Sequence, residues 1–464
     1  MTVWQPYFSG SGRHYRSIID ALARDIASGQ LKPGQRLPPH RELALKLGIS
    51  VGTVTKAYSE AKRLGFIRSS IGSGTFVREH PLRERRRLMT DREDVQRADL
   101  SFNCPVLTSN HSDVLRQSLE AQARSENLGG LLSYHRPWFG QESHRAVAAQ
   151  WLRQIGFAAD PADIAIVSGA QHAVSVALLT TIRAGEVVLT EKLIDPSTRL
   201  LLGALGLNIR GLGMDDEGIQ LNEFVDACHN EPVRALVCVP DHHSPTLSVW
   251  STERRQQIAA AAREFGVSII ENAVYRPFLD KAPPPLSSFA PEISHFCTSV
   301  SKIVAPGVRV GFLVAPPGRV DELVLGLGAT LWMTPPLAVE IVCGWIEAGK
   351  MDELVRWQRN ELAARNEIAA DIFRGFDYSA LPTGLNIWLQ MPEKWRSGTL
   401  ERETRAAGVL ISPAELFSTG STGGGRDAAR ISLGGGARSR EELASGLRVI
   451  TSILNRKLGN TLDF

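Results

Sequence analysis

Phe296-Cys-Thr-Ser-Val-Ser-Lys-Ile-Val-Ala-Pro-Gly-Val-Arg-Val-Gly311 is the stretch on which the fold of this chain turns. Its opening residues, Phe296 to Val300, make a short run of the kind that forms a buried strand. Ser301 and Lys302 follow at once, and Arg309 stands a little further on. A lysine at a strand end, among hydroxyl donors and a second cation, is pushed toward its neutral form, which favours Schiff-base formation. Ser299, Ser301 and Arg309 supply donors and charge suited to a phosphate dianion. A lone Ser-x-Ser-Lys string occurs by chance more often than not, so the weight falls on its surroundings.

Working outward, the runs Ala165–Val167, Glu186–Thr190, Ala235–Val239 and Val267–Ile270 alternate with helical patterns. That alternation predicts an α/β fold with one mostly parallel sheet. Such sheets bind ligands beyond the carboxyl ends of their strands. Ser168-Gly169-Ala170-Gln171 follows one of these ends and opens a helix, whose first N–H groups are available to phosphate. His242 and His243 beside Asp241 do not read as a metal site, because adjacent histidines point to different sides and no third ligand is spaced to join them. They read as loop residues at the sheet edge.

The chain has 464 residues, 43% hydrophobic and 22% charged, the balance of a soluble globular protein with a small module beside a large one. Its five cysteines are scattered and form no C-x-x-C pair, which fits a reducing, cytoplasmic setting without disulfides or a zinc site. No secretory signal or membrane-spanning run is visible, so no membrane partner is expected. Residues 1–97 hold 18 Lys/Arg against 9 Asp/Glu, a balance of +9, and the total of +3 leaves −6 for the rest. A basic head on an acidic body is the electrostatic footprint of a segment that meets phosphate.

Within that head, Tyr15, Ile18, Ile19, Leu22, Ala23 and Ile26 recur at helical spacing. A second short helix is predicted over Arg41–Leu47, closed by Gly48, and Ser50 is a good N-cap for a third. Val54, Ala57, Tyr58, Ala61 and Leu64 give that third helix its buried face. Phe66-Ile-Arg then faces Thr75-Phe-Val across Gly72-Ser73-Gly74, as a two-stranded wing. Thr53, Thr55 and Lys56 lie on the exposed side of the third helix, where a helix in the major groove places its reading side chains.

The blocks 34–44, 48–58 and 72–76 resemble GntR-type regulators in order and spacing. The resemblance implies a winged helix-turn-helix over 13–78 that binds double-stranded DNA. Its contacts would come from Arg36, Arg41, Ser50, Thr53, Thr55, Lys56, Gly72 and Ser73. Val51 departs from the family, where an arginine is frequent. Residues 79–98, dense in both charges, read as a solvated linker whose Arg85-Arg86-Arg87 run is most simply a hydrated charge patch.

Residues 99–464 resemble fold-type I aminotransferases. The matching blocks are Ser133-Tyr134 with Gly140, Val167–Gln171, Pro245-Thr246, Glu271–Tyr275, Ser299–Gly311 and Arg430-Ile-Ser. The two-part chain is thereby similar to the MocR subfamily of GntR regulators. The resemblance implies pyridoxal 5'-phosphate in Schiff-base linkage to Lys302, with Tyr275 on its phenolic oxygen. Ser299, Ser301, Arg309 and the Gly169 and Ala170 amides would hold its phosphate, and Tyr134 would reach in from a partner subunit. Arg430 would bind a carboxylate of the effector.

Three positions depart from the aminotransferase pattern. Asn272 replaces the aspartate that keeps the pyridine nitrogen protonated and makes the ring an electron sink. Ser244 replaces an asparagine that bonds the phenolic oxygen, and Asp195 replaces the aromatic that stacks on the ring. These losses weaken transamination and cofactor affinity. The expectation is a homodimeric transcription regulator without catalytic residues, whose body senses an amine, an amino acid or the cofactor itself. The alternatives are a working aminotransferase and a regulator whose cofactor-free body only dimerises.

Overall fold

The computed structural model describes residues 4, 15–27, 30–31, 35–63, 66–70, 74–77, 98–126, 128–133, 136–419 and 427–456. Tyr134, Gly72, Ser73 and residues 79–97 of the linker therefore lie outside the described residues. The chain divides into two compact units, Met1–Glu93 and Asp94–Phe464.

In the first unit, α1 (Tyr15–Ala27), α2 (His40–Leu47) and α3 (Val51–Arg63) follow the predicted stripes. Ile18, Leu22, Leu43, Val54, Ala57 and Ala61 are buried together, so the three apolar faces share one core. Gly48 ends α2 with φ 63°, a left-handed conformation that glycine adopts without a Cβ clash. Ser50 accepts the Thr53 N–H at 3.1 Å, capping α3 as its sequence suggests. The wing is the antiparallel pair β1 (Ile67–Ser70) and β2 (Gly74–Val77), in register from Ile67 opposite Val77 to Ser70 opposite Gly74. Arg36 adds a bridge to Phe76 at its edge.

The second unit is built on a seven-stranded sheet. Its strands are β3 (Ile164–Val167), β4 (Val187–Glu191), β5 (Asn208–Leu212), β6 (Val233–Cys238), β7 (Ser268–Asn272), β8 (Ser294–Ser299) and β9 (Gly311–Val314). Their spatial order is β3-β9-β8-β7-β6-β4-β5, and only β9 runs antiparallel to its neighbours. β3, β8 and β9 are buried at every residue because apolar clusters cover both faces of the sheet, as a sheet of mainly parallel strands requires. All five runs read from sequence are strands of this sheet.

A smaller sheet, with strands at Tyr378–Ser379, Asn386–Gln390, Ala428–Ser432 and Ser412–Pro413, packs with the helices Lys350–Ile372 and Arg440–Asn455. Ala98 and Asp99 pair in parallel with Val409 and Leu410. That pairing seats the start of the body beside the smaller sheet and carries Ser101, Phe102 and Asn103 toward the end of β8. Among the described residues, no helix is long and apolar enough to cross a membrane.

Candidate functional site

The parallel strands deliver their following residues to one edge of the large sheet. Lys302 follows β8, Ser168 and Gly169 follow β3, Asp195 follows β4, Asp241 to Pro245 follow β6, and Asn272 ends β7. The smaller sheet brings Arg430 to the same place, where its Nη1 donates to Ser244 Oγ at 3.2 Å. A cleft of about 1520 Å³ runs between residues 213–216 and 390–393, and its lining includes Leu193 and Thr246.

Lys302 Nζ donates to the Asn103 carbonyl at 2.6 Å and lies 4.5 Å from the centre of the Phe102 ring. Asn103 Nδ2 donates in turn to Asn386 Oδ1 at 2.8 Å, and Asn386 Nδ2 to the Pro245 carbonyl at 3.0 Å. These bonds tie the lysine's surroundings to both sheets. Phe102, Asn103 and Asn386 carry no motif, and nothing in the sequence marked them.

Arg309, with φ 56°, donates from Nη1 to Ser301 Oγ at 3.2 Å and from Nη2 to the Ser168 carbonyl at 3.1 Å. Gly169 makes this possible. A Cβ there would lie 2.6 Å from Arg309 Nη2, and the residue holds φ 84°. The Gly169 N–H bonds the Val167 carbonyl at 2.9 Å. The helix α4 (Ala170–Thr181) begins at the next residue, so Ala170 and Gln171 supply N–H groups without in-helix acceptors. Ser299 is fully buried, and its Oγ accepts the Ser301 N–H at 3.3 Å. The result is a set of donors and one guanidinium at a helix start, a chemistry that suits a phosphate dianion.

Tyr275 is buried and stacks on His242, with ring centres 5.5 Å apart. His242 and His243 sit in the loop that follows β6 at the sheet edge, and they are 1% and 0% exposed. Asp241 explains the burial. Its carboxylate pairs with buried Arg255 at 2.8 Å and buried Arg276 at 2.9 Å, and this fastens the loop inward. His243 donates from Nε2 to the Leu193 carbonyl and accepts from Thr246 Oγ1, whereas both ring nitrogens of His242 are buried without a partner. Burial pushes His242 down to about 3 and His243 down to about 4, so both are neutral near pH 7. Among the described residues, no cluster of His, Cys, Asp or Glu could hold a metal ion.

Asn272 Oδ1 accepts the Val274 N–H at 3.3 Å. That bond takes one lone pair of Oδ1 and orients the amide, whose Nδ2–H is a donor for a ligand. Asp195 caps the helix α5 (Pro196–Ala204), accepting the Ser197 N–H at 2.9 Å and its hydroxyl at 2.6 Å. Burial works to raise the Asp195 carboxyl, but Arg430 and Lys302 nearby, with the Ser197 bonds, hold it below the usual carboxylate range. Arg430 is 4% exposed, lies 4.7 Å over Phe417 and also donates to the Ser101 carbonyl at 2.6 Å.

On the head, Arg36, Arg41, Ser50, Thr55 and Lys56 are exposed and Thr53 is half-buried. Four of these side chains are also engaged within the unit. Thr53 Oγ1 meets Ser50 Oγ at 2.9 Å, Thr55 Oγ1 meets His40 Nδ1 at 3.1 Å, and Lys56 Nζ lies 4.5 Å over the Tyr15 ring.

Residues 14–77 match the family described as bacterial regulatory proteins, gntR family, and residues 98–447 match aminotransferase class I and II. The uncharacterized HTH-type transcriptional regulator YdeF of Bacillus subtilis (strain 168) is 27% identical over 456 residues, covering 97% of each chain. The HTH-type transcriptional regulator TauR of Rhodobacter capsulatus is 27% identical over 443 residues, covering 88% of this chain and 90% of that one. Among solved structures, the α-aminoadipate aminotransferase LysN of Thermus thermophilus, complexed with N-(5'-phosphopyridoxyl)-L-leucine, superposes with a TM-score of 0.68 at 24% identity. It covers 86% of this chain and 98% of its own, a likeness of fold. The chain belongs to the aminotransferase class I and II family through its body, joins to it a head that matches the gntR family, and is similar along nearly its whole length to HTH-type transcriptional regulators.

Proposed function

We propose that the body senses a primary amine or amino acid through pyridoxal 5'-phosphate at Lys302, and that this signal changes how the heads of a homodimer occupy DNA. The working division is a head over 13–78, a linker over 79–98 and a body over 99–464, in the cytoplasm. When bound, the cofactor supplies an aldehyde that captures primary amines. Lys302 would carry it, Arg309, Ser301, Ser299 and the Ala170 amide would hold its phosphate, and Tyr275 would meet its phenolic oxygen. Gly169 contributes by giving Arg309 room. Tyr134 of the other subunit is proposed to complete the site. Arg430 faces the effector.

The observation that carries the reading is the use of Asn272. With Oδ1 turned to the Val274 N–H, the amide presents Nδ2–H as its donor and carries no negative charge, which suits an unprotonated ring nitrogen. The site therefore binds and exchanges amines but lacks the charge that drives repeated transamination. Weak half-reactions are the most it supports. Leu132 and Leu325, 89% and 72% exposed, support a second copy as their cover. Arg36, Arg41, Thr55 and Lys56 support a DNA-facing side of the head, and paired heads read paired half-sites. Ligand binding shifts the heads only through different affinity for two arrangements of the dimer.

The test is to add pyridoxal phosphate to the protein and to its Lys302→Ala variant and record visible absorption. A band in the wild type alone supports the reading. Equal spectra, or multiple turnovers between an amino acid and a keto acid, defeat it.

A further inference from the structure

Arg430 is a buried guanidinium, and a buried cation needs a compensating anion. Its hydrogen bonds go to neutral oxygens, Ser244 Oγ and the Ser101 carbonyl, while its Nε is buried without a partner. The carboxylate that faces it is Asp195, whose Oδ2 lies 3.9 Å from Arg430 Nη1. Asp195 cannot swing aside cheaply. Its Oδ1 holds both the N–H and the hydroxyl of Ser197 at the first turn of α5, and giving these up uncaps the helix. The same carboxylate also feels the charge of Lys302.

An α-amino acid seated by its amine at Lys302 would have to place its carboxylate on Arg430. That carboxylate would arrive within a few ångströms of the fixed Asp195 carboxylate, and two like charges at this range oppose each other. A primary amine with no carboxylate meets the opposite situation. Its approach leaves Arg430 compensated, and Asp195 serves as counter-ion to the incoming ammonium.

We propose that Asp195 takes the anion's place on Arg430 and makes the site selective for primary amines that carry no carboxylate beside the amine. The proposal rests on Lys302 as the cofactor-bearing lysine. It assigns to the residue in the usual ring-stacking position the task of rejecting amino acids.

The experiment compares ligands that differ only in the carboxylate. Phenethylamine against L-phenylalanine and isobutylamine against L-valine are titrated into the full-length protein loaded with pyridoxal phosphate. Affinity is read from the change in visible absorption and, independently, by calorimetry. The wild type should bind each amine at least about tenfold more tightly than its amino acid, the effect of one unfavourable charge contact. Asp195→Asn keeps an N-cap side chain at α5 and removes the charge, so it should shift each ratio about tenfold toward the amino acid. Equal or tighter binding of the amino acids by the wild type, or ratios unmoved in Asp195→Asn, overturns this inference alone. Absence of the cofactor band before any amine is added overturns the Lys302 reading and this inference with it.

Discussion

Asn272 turns a residue identity into a direction of hydrogen bonding. The backbone N–H of Val274 occupies one lone pair of Oδ1 and orients the amide, so that Nδ2–H is turned to donate to a ligand. An aspartate at this place would accept from a ring N–H and stabilise the protonated ring, the form that withdraws electrons. Asn272→Asp should therefore raise transamination by at least about tenfold in a multiple-turnover assay, the scale of one transition-state interaction. An unchanged rate would mean that something other than the ring nitrogen limits the chemistry. Gly169 makes a second sharp case. Its positive φ and the 2.6 Å approach of Arg309 leave no space for a methyl group. Gly169→Ala should weaken cofactor uptake by displacing that guanidinium, visible as a higher concentration of pyridoxal phosphate for half-maximal absorption. Uptake equal to wild type would remove Arg309 from the phosphate cradle.

At the scale of elements, the same side chains both build and read. α3 starts with a Ser50 cap, and the hydroxyl that caps it also meets Thr53 on the proposed DNA-facing side. Ser50→Ala should cost about 1 kcal/mol of head stability and Ser50→Gly only a few tenths, measured by denaturation without DNA. Equal losses would show that the hydroxyl does not hold the helix start. The helix stripes, the Gly48 stop and the hairpin register were legible because each is written within a window of a turn or two. The inward course of the 241–245 loop was not. His242 and His243 read only as loop residues at the sheet edge, and their burial is imposed by Asp241 reaching Arg255 and Arg276, partners from a helix and a turn further along the chain.

Across the whole body, buried neutral histidines couple folding to pH. His242 is pushed down to about 3, and His243 and His295 each to about 4, by burial. An unfolded histidine takes a proton below about pH 6.5, while these folded ones do not until the pH falls further. Their contribution is therefore complete above about pH 6.5 and is lost as the pH falls toward their folded values. The loss is about 1.4 kcal/mol per pH unit for each histidine. The melting temperature of the full chain should fall between pH 6.5 and 4, and His295→Phe should flatten that slope. A flat profile in the wild type would contradict the burial of these rings.

The sequence by itself determined the two modules, the parallel strand runs, the caps and the lysine stretch, because these follow from local periodicity and from residue chemistry at short spacing. Only the tertiary structure decided what surrounds Lys302 and Arg430. Asn103 comes to the lysine from 199 residues away, and Ser244 and Ser101 come to the arginine from 186 and 329. Asp195 looked like a missing ring and is instead a helix cap set beside a buried cation. Such meetings depend on where the sheets and loops bring distant residues together under close packing, and no local pattern encodes that.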